Sequence, residues 1–369
     1  MIGFKPTILA TVLTGIGLAS AAKDPEIWGF GTKTTGGRGA PPSSTYTVKN
    51  FNEFKTALNN RGKPHSPKVI YIGLIGSNRS GPTPGPPTSG ICEIQLFPRT
   101  NAQISIKIGN NTSIIGKPKR KKQVARLEDI AIAINQTNNV IMQDFEVYAP
   151  IDLFPEWDPT DGSTGNWNSR YDAIGVVTST NVWFDHLTIS DGLHPDTEAP
   201  TIFGKKVQRH DGAIDITEGA DLITMSHCLV YNHDKSHLVG NNDANNLGPG
   251  DIGRLRVSFH ANAWLNSLQR SPRLRFGKAH VFNNYYKASL LDPEEKLQYF
   301  LGMGIESSIL SEANVFEIEA KNKTDAVNAV IGSTKDTASR TIDLGLLLSI
   351  EEGEDVKKYV LANAGAGKL

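Results

Sequence analysis

Three aspartates stand at spacings that can gather them on one surface. Asp211 and Asp215 are four residues apart, and residues separated by an even number share one face of a strand. Asp172 lies ten residues before a recurring strand pattern, as Ala213, between the other two, lies ten before the next copy. Carboxylates held together repel unless a cation compensates, and calcium accepts irregular oxygen sites. The spacing therefore predicts a calcium site, with three separately solvated carboxylates as the open alternative.

A basic group follows downstream. Lys235 closes the run Asn-His-Asp-Lys, and Arg270 begins the run Arg-Ser-Pro-Arg-Leu-Arg. Arg273 and Arg275 alternate about Leu274, as neighbours on one strand do. Guanidinium groups bind carboxylates through two parallel hydrogen bonds, so a polymer of uronic acids is a fitting ligand. Solvated surface charge is the alternative that these residues alone leave open.

A concealed repeat supplies the elements that must position these side chains. Eight-residue segments recur with apolar residues at the first and eighth places and, in all but the last copy, at the third, and their starts are 22 to 42 residues apart. The six copies are Val140–Val147, Val182–Ile189, Ile223–Val230, Val257–Trp264, Ala279–Tyr286 and Ile309–Phe316. The sixth place is apolar in the first three copies and becomes Asn262, Asn284 and Asn314 in the last three.

Such a repeat predicts an all-β, single-stranded, right-handed parallel β-helix with inserted loops. Asparagines stacked from coil to coil can hydrogen-bond to one another, and stacking buries the apolar face of each coil. Almost no stretch before about Ala320 has a long helical period. Residues after Lys321 lose the repeat, and we expect them to pack on its exterior. An antiparallel sandwich is the alternative, which the uneven spacing disfavours.

The N-terminus has the pattern of a secretory signal. Lys5 is its only early charge, residues 6–17 are apolar or small, and small residues follow at 19–22. The apolar run is shorter than the roughly 20 residues that span a bilayer. We therefore expect a signal peptide over residues 1–21, a β-helix domain over residues 22–369, secretion, and no membrane partner.

Composition narrows the classes of partner. The 38 basic and 38 acidic residues cancel, which argues against a nucleic-acid partner held by a basic surface. The 35 glycines and 20 prolines supply many turns. Cys92 and Cys228 are the two cysteines, and their pairing stays open. Asn-x-Ser/Thr triplets predict a glycoprotein and begin at Asn78, Asn110, Asn111, Asn135 and Asn322. We expect a monomer.

Several separated motifs in one order closely resemble the family-one polysaccharide lyases, the pectate lyases. The matching segments are Pro155–Asp161, Gly165–Ile174, Val182–His186, Asp211–Asp215, His233–Lys235 and Arg270–Gly277. The likeness runs from about Trp28 to Lys368. The resemblance implies a calcium-dependent lyase on a parallel β-helix, with polygalacturonate as substrate.

The resemblance also implies roles, position by position. Asp172, Asp211 and Asp215 match the primary calcium ligands; Arg270 matches the catalytic arginine; Lys235 and Arg275 match the groups that bind substrate carboxylates. Asp185 and His186 match a motif that looks mainly structural, and Arg273 matches a residue without an assigned role.

The implied reaction is a β-elimination. Calcium bound to a galacturonate carboxylate withdraws charge and acidifies the C5 proton, which Arg270 removes before the C4–O4 bond breaks. Free arginine has a pKa above about 12, so a crowded positive site and alkaline pH are needed for its neutral form. We therefore predict an alkaline optimum.

Three other functions compete with this interpretation. A pectin lyase acts on methylated polymer without calcium, and its family replaces part of the acidic cluster, whereas all three aspartates stand here. A polygalacturonase needs paired acids for hydrolysis, and its Asn-Thr-Asp and Asp-Asp signatures are missing. A non-catalytic polysaccharide-binding β-helix protein would have no need of Arg270 beside the aspartates.

Overall fold

The computed structural model describes residues 27–76, 104–117, 124–333, 341–343 and 350–369. The predicted signal peptide, Cys92 and the triplet at Asn78 lie outside these residues. Nearly all strands in the described part pair in parallel, and each coil contributes one strand to each of three sheets. The predicted parallel β-helix is confirmed, because only stacked coils of one chain produce this strand order.

The first sheet has ten strands in the described residues, in the spatial order of the chain. They are β1 (Thr45–Val48), β2 (Lys68–Ile72), β5 (Thr112–Gly116), β8 (Asn138–Gln143), β13 (Thr180–Asp185), β18 (Asp221–Ser226), β21 (Arg256–His260), β24 (Lys278–Phe282), β27 (Ser308–Glu312) and β30 (Thr341–Asp343).

The second and third sheets have eight strands each in the same part of the chain. The second contains β4 (Ser105–Lys107), β7 (Ala131–Asn135), β12 (Ile174–Val177), β17 (Ile214–Thr217), β20 (Leu238–Val239), β23 (Arg273–Leu274), β26 (Leu301–Met303) and β29 (Ile331–Ser333). The third contains β3 (Leu74–Gly76), β6 (Ala125–Glu128), β9 (Phe145–Tyr148), β14 (Thr188–Ser190), β19 (Leu229–Lys235), β22 (Ala263–Gln269), β25 (Tyr285–Ser289) and β28 (Val315–Glu319).

The strand register matches the predicted repeat. The first residues of the six copies pair in succession through the first sheet, and all are at most 4% exposed: Val140, Val182, Ile223, Val257, Ala279 and Ile309. The eighth residues of the copies pair in the same way through the third sheet. The apolar places therefore form columns that run through one continuous core.

The predicted asparagine stack lies at the bend between the first and third sheets. The side-chain amide of Asn262 donates to Oδ1 of Asn284 at 3.1 Å, and that of Asn284 donates to Oδ1 of Asn314 at 2.9 Å. Each amide also donates to a backbone carbonyl, from Asn262 to Met225 at 3.0 Å and from Asn284 to Phe259 at 3.0 Å. The buried amides are thus satisfied by the bend itself.

Helices cover parts of the solenoid. They are α1 (Phe51–Asn59), α2 (Lys323–Val330) and α3 (Ile350–Asn363), with 3-10 turns at Pro42–Ser44, Asn60–Gly62 and Asp196–Glu198. Sequence periodicity did not identify α1, whose N-cap Asn50 accepts a hydrogen bond from the backbone N–H of Glu53 and which buries Phe51 and Phe54. A nine-residue helix is too short to establish a clear period.

The C-terminal region partly departs from prediction. Val360 and Ala364 pack with Ala263 and Tyr285 outside the third sheet, as expected for a segment on the exterior. The strands β29 and β30, however, extend the second and first sheets beyond Lys321. Their shortness hides the alternating pattern that longer strands reveal. None of the helices in the described residues is long and apolar enough to cross a membrane.

Candidate active site

The three predicted aspartates lie on neighbouring coils at the second sheet. Asp172 and Asp211 precede β12 and β17, and Asp215 lies within β17, which pairs directly with β12. Oδ1 of Asp172 accepts a hydrogen bond from the backbone N–H of Gly212 at 3.0 Å. Oδ1 of Asp215 accepts one from the backbone N–H of Leu238 at 2.9 Å. Strand stacking thus brings the carboxylates together, as predicted.

The register around this cluster differs from prediction by one residue. Counting back from the repeat put Asp172 level with Ala213, whereas the strand pairing puts it level with Gly212. Ile174 pairs with Ile214 in the second sheet, and Val182 pairs with Ile223 in the first. The segment from β17 to β18 is therefore one residue longer than the segment from β12 to β13. A Cβ atom at Gly212 would collide with the Asp215 carboxylate, so glycine is needed for this close approach.

Burial and mutual repulsion raise the pKa of two of the three carboxylates. Burial, followed by the charges of Asp215 and Asp211, raises the pKa of Asp172 well above its ordinary value. Burial, followed by Asp211, raises the pKa of Asp215 to about 7, although Arg270 and Lys235 act to lower it. The cluster carries more negative charge than its cationic neighbours neutralise.

The donor set fits a hard divalent cation, because three carboxylates offer oxygen ligands and an excess of negative charge. Two other groups in the described residues have ligand atoms within 4.8 Å of one another: Asp185, His186 and His227, and Asp191, Asp196 and His210. Among the described residues, the three aspartates of the second sheet do not form so tight a group.

Lys235 and Arg270 border the acidic cluster. Nζ of Lys235, at the end of β19, lies 3.2 Å from Oδ1 of Asp211. Arg270 follows β22 with a left-handed backbone, φ 60°, and its Nε is buried without an acceptor among the described residues. A guanidinium with an unused donor can donate a hydrogen bond to an incoming acidic group.

Arg273 and Arg275 alternate about the fully buried Leu274, as predicted. Burial, followed by the charge of Arg275, lowers the pKa of Arg273. Nε of Arg275 donates to Oδ1 of Asp243 at 2.6 Å, and its Nη1 donates to the carbonyl of Gly240 at 3.2 Å. Sequence reasoning missed Asp243, which lies in an irregular loop without any spacing signal.

The strands that bear these residues are consecutive in the second sheet. β12, β17, β20 and β23 pair in that order, and β19 and β22 lead the chain from the third sheet to Lys235 and Arg270. Five of the six predicted site residues lie just before these strands or at the start of one, whereas the sixth, Arg275, follows β23. The five are Asp172, Asp211, Asp215, Lys235 and Arg270.

Asp185 belongs to a different surface, on the first sheet. Its carboxylate accepts hydrogen bonds from Nε2 of Gln143 at 2.9 Å and Oγ of Ser226 at 2.7 Å, and Nδ1 of His186 lies 2.8 Å away. Its side chain is 2% exposed. These contacts join adjacent coils, which agrees with the predicted structural role of Asp185 and His186.

The fold and this site define a parallel β-helix protein, and known proteins show which kind. A family model described as pectate lyase matches residues 4–346. The chain is 33% identical to a pectate lyase of Bacillus subtilis (strain 168), over 93% of this chain and 92% of that protein. It is 35% identical to pectate lyase E of Dickeya chrysanthemi, over 87% of this chain and 77% of that protein.

Solved structures agree. A pectate lyase bound to a hexasaccharide superposes with a TM-score of 0.80 at 31% identity, covering 92% of this chain and 97% of that one. A thermostable pectate lyase gives 0.78 at 31% identity, covering 95% and 99%. The chain belongs to the pectate lyase family and is a polysaccharide lyase.

Proposed function

We propose that this chain is a secreted, calcium-dependent pectate lyase that cleaves (1→4)-α-D-galacturonan, the backbone of de-esterified pectin, to 4,5-unsaturated oligogalacturonates. The observation that carries the proposal is the position of Arg270, whose buried Nε has no acceptor among the described residues and whose charge acts on Asp215. This free donor can bind an acidic group of the substrate, and the similarity of the chain to pectate lyases favours a catalytic role over binding alone.

Asp172, Asp211 and Asp215 would hold the calcium ion, which supplies Lewis-acid withdrawal of charge from a galacturonate carboxylate when bound. Arg270 in its neutral form accepts the C5 proton. The electron pair of the C5–H bond forms the C4=C5 double bond, and the C4–O4 bond breaks with its electrons on the leaving oxygen, which water protonates.

Lys235 and Arg275 bind the carboxylates of the substrate. Both are paired with carboxylates in the free protein, Lys235 with Asp211 and Arg275 with Asp243. The side chain of Asp243 is 59% exposed, so a substrate carboxylate can replace it at Arg275 with little desolvation. A cation at the acidic cluster would likewise release Lys235 from Asp211 toward substrate.

The first test follows the ultraviolet absorbance of the unsaturated product while the purified protein acts on polygalacturonate, with calcium and then with a chelator. We expect an increase in absorbance that the chelator abolishes and that added calcium restores. Signal indifferent to chelation would favour a pectin lyase. Absence of signal together with new reducing ends would favour a hydrolase.

Replacement of Arg270 tests the proposed base. We expect Arg270→Ala to lower kcat by about a thousandfold, the usual contribution of a positioned base, while polymer binding persists. Lys278→Ala, an exposed change on β24, is the control. Equal turnover in wild type and Arg270→Ala would remove Arg270 from the mechanism.

The pH dependence tests the same residue in another way. Only a neutral guanidine accepts a proton, so the rate should rise with pH into the alkaline range. A rate that peaks below neutrality would contradict a base of this kind. Export, glycosylation at the Asn-x-Ser/Thr triplets and a monomeric state belong to the same proposal and rest on the sequence.

A further inference from the structure

Two antiparallel hairpins stand immediately before the acidic cluster. The first consists of β10 (Glu156–Asp158) and β11 (Asn166–Asn168), and the second of β15 (Thr201–Ile202) and β16 (Lys205–Lys206). β11 ends four residues before Asp172, and β16 ends five before Asp211. Both hairpins are thus insertions of consecutive coils that lead directly into the proposed cation ligands.

Hydrogen bonds fasten the stems of the hairpins to each other. The backbone N–H of Asp152 donates to the carbonyl of Arg209 at 2.8 Å, and Oγ of Ser169 donates to the same carbonyl at 3.1 Å. The backbone N–H of Arg170 donates to Oδ2 of Asp152 at 3.1 Å. The hairpins therefore hold a fixed position relative to the cluster.

Three aromatic rings join the tips of the two hairpins. Trp157 and Trp167 are cross-strand partners, with ring centroids 5.3 Å apart. The Phe203 ring lies 5.1 Å from Trp157 and stacks on Trp167 at 5.9 Å, with an angle of 8° between the planes. Nε1 of Trp167 donates to the carbonyl of Ile202 at 3.2 Å, which links the hairpins directly. We call these three rings the aromatic platform.

Core packing does not account for Phe203. It is 71% exposed, and it occupies a two-residue turn with φ 54°, followed by Gly204 at φ 74°. Asparagine and glycine favour such a turn, whereas an aromatic residue is strained there. The ring is therefore both solvent-accessible and placed at an energetic cost to the backbone.

Free positive charge accompanies the platform. Lys205 stands opposite Ile202 in the second hairpin, and Arg209 lies in its stem. Neither side chain forms an ion pair with another described residue, whereas the adjacent Lys206 pairs with Glu294 at 3.1 Å. The exposed ring of Phe203, in the same segment as two unpaired cations, matches a ligand with an apolar ring face and carboxylates.

We propose that the aromatic platform, with Lys205 and Arg209, is an additional binding subsite for the galacturonan chain. A pyranose ring would stack its C–H face on the exposed ring of Phe203, which Trp167 supports from behind, while a uronate carboxylate would contact one of the two cations. This inference rests on the proposed function, since it extends the same polymer from the acidic cluster onto the hairpins.

Phe203→Asn removes the aromatic ring without disturbing the fold, and so tests the contribution of the ring to binding. Asparagine suits the left-handed turn, so the midpoint of thermal unfolding should stay level or rise. We expect the KM for polygalacturonate to rise about fivefold with kcat unchanged, the effect of losing one stacking contact that acts equally in ground and transition states. Val327→Asn, an equally apolar-to-polar change at a 58% exposed position on α2, is the control and should change neither parameter.

A binding measurement separates this inference from the proposed function. Polygalacturonate is titrated into Arg270→Ala while tryptophan fluorescence is followed, because Trp157 and Trp167 belong to the platform. We expect a saturable change that Phe203→Asn weakens about fivefold in the same background. Unchanged fluorescence and an unchanged KM would overturn the platform while leaving lyase activity intact. Absence of unsaturated product from wild type would instead overturn the function, and the fluorescence change would still decide the platform.

Discussion

At the scale of single residues, the buried charges of this chain are compensated in two different ways. In the acidic cluster, burial, followed by the charge of Asp211, raises the pKa of Asp215 to about 7, and the cationic neighbours offset this only in part. Asp185 has the opposite balance. Burial acts to raise its pKa, but the hydrogen bond with His186 and the ring of His227, whose Nδ1 lies 3.4 Å from Oδ1, outweigh burial and leave the pKa far below its ordinary value. The first arrangement suits a site that binds a cation. The second suits a carboxylate that stays ionised and stabilises the fold.

The lowered pKa of Asp185 predicts a pH-dependent contribution to stability. Its stabilising effect is fully present above the unfolded-state pKa of about 4, and is lost as pH falls toward the lower native pKa. We expect Asp185→Asn to lower the free energy of unfolding by about 3 kcal/mol at neutral pH, because a buried hydrogen-bonded charge is removed. Urea unfolding at several pH values measures this loss.

The loss caused by Asp185→Asn should shrink as pH falls below about 4, since Asp185 then becomes protonated in the unfolded chain while it stays ionised in the native protein, which favours unfolding of the wild type. Asp355→Asn, at a 77% exposed position on α3, is the control and should change stability by less than about 0.5 kcal/mol. A constant loss across the whole pH range would mean that shape, rather than charge, is what Asp185 contributes.

At the scale of elements, the bend between the first and third sheets depends on one column of side chains. This column passes from Phe145, Leu187 and Cys228 to Asn262, Asn284 and Asn314. The backbone N–H of Cys228 donates to Oδ1 of Asn262 at 2.8 Å. The amide stack therefore also supplies a hydrogen-bond acceptor to the preceding coil, whose own residue at this place is Cys228. An amide at this bend stabilises because it bonds both neighbouring coils.

Removal of the central amide should therefore lower the free energy of unfolding substantially. Asn284 is fully buried, accepts from the backbone N–H of Asn262 at 2.9 Å and donates to two acceptors. We expect Asn284→Ala to lower the free energy of unfolding by about 3 kcal/mol, since several buried partners are orphaned. Lys278→Ala, exposed on a strand of the same coil, should stay within about 0.5 kcal/mol. Equal effects of the two changes in urea unfolding would contradict the role of the stack.

At the scale of the whole molecule, the proposed cation site joins two coils. Asp172 belongs to the coil of β12, and Asp211 and Asp215 belong to the coil of β17. Because each coil contacts mainly its neighbours, repulsion between these carboxylates opposes stacking at one specific point of the solenoid. A cation there would stabilise the fold as well as serve catalysis.

Calcium should accordingly raise the stability of the wild-type protein. At a concentration about 100 times its Kd, we expect a gain of about 2.7 kcal/mol in the free energy of unfolding, detected as a higher thermal midpoint that a chelator reverses. Asp215→Asn should unfold at a higher temperature than wild type without calcium, because repulsion is relieved while Oδ1 still accepts from Leu238. It should gain little when calcium is added.

Magnesium at the same concentration controls for ionic strength in this experiment, since it demands a more regular geometry. An equal response to calcium in wild type and Asp215→Asn would place any bound cation elsewhere on the molecule.

The coil repeat can be predicted from the residues alone, because stacking buries the apolar residues of all copies together. The column that begins with Val140 and continues through Val182, and the stack of Asn262 and Asn284, follow directly from that repeat. The carboxylates of the site followed as well, since strand spacing carries Asp211 and Asp215 to one face, and resemblance supplied Arg270.

The contacts between loops, in contrast, are visible only in the folded molecule. The extra residue that shifts Asp172 to Gly212, the pairing of Arg275 with Asp243, and the stacking of Phe203 on Trp167 all depend on insertions. Loops have no period, and their conformations are fixed by contacts between distant segments. Local pattern therefore cannot predict them, whereas the packing of neighbouring coils can.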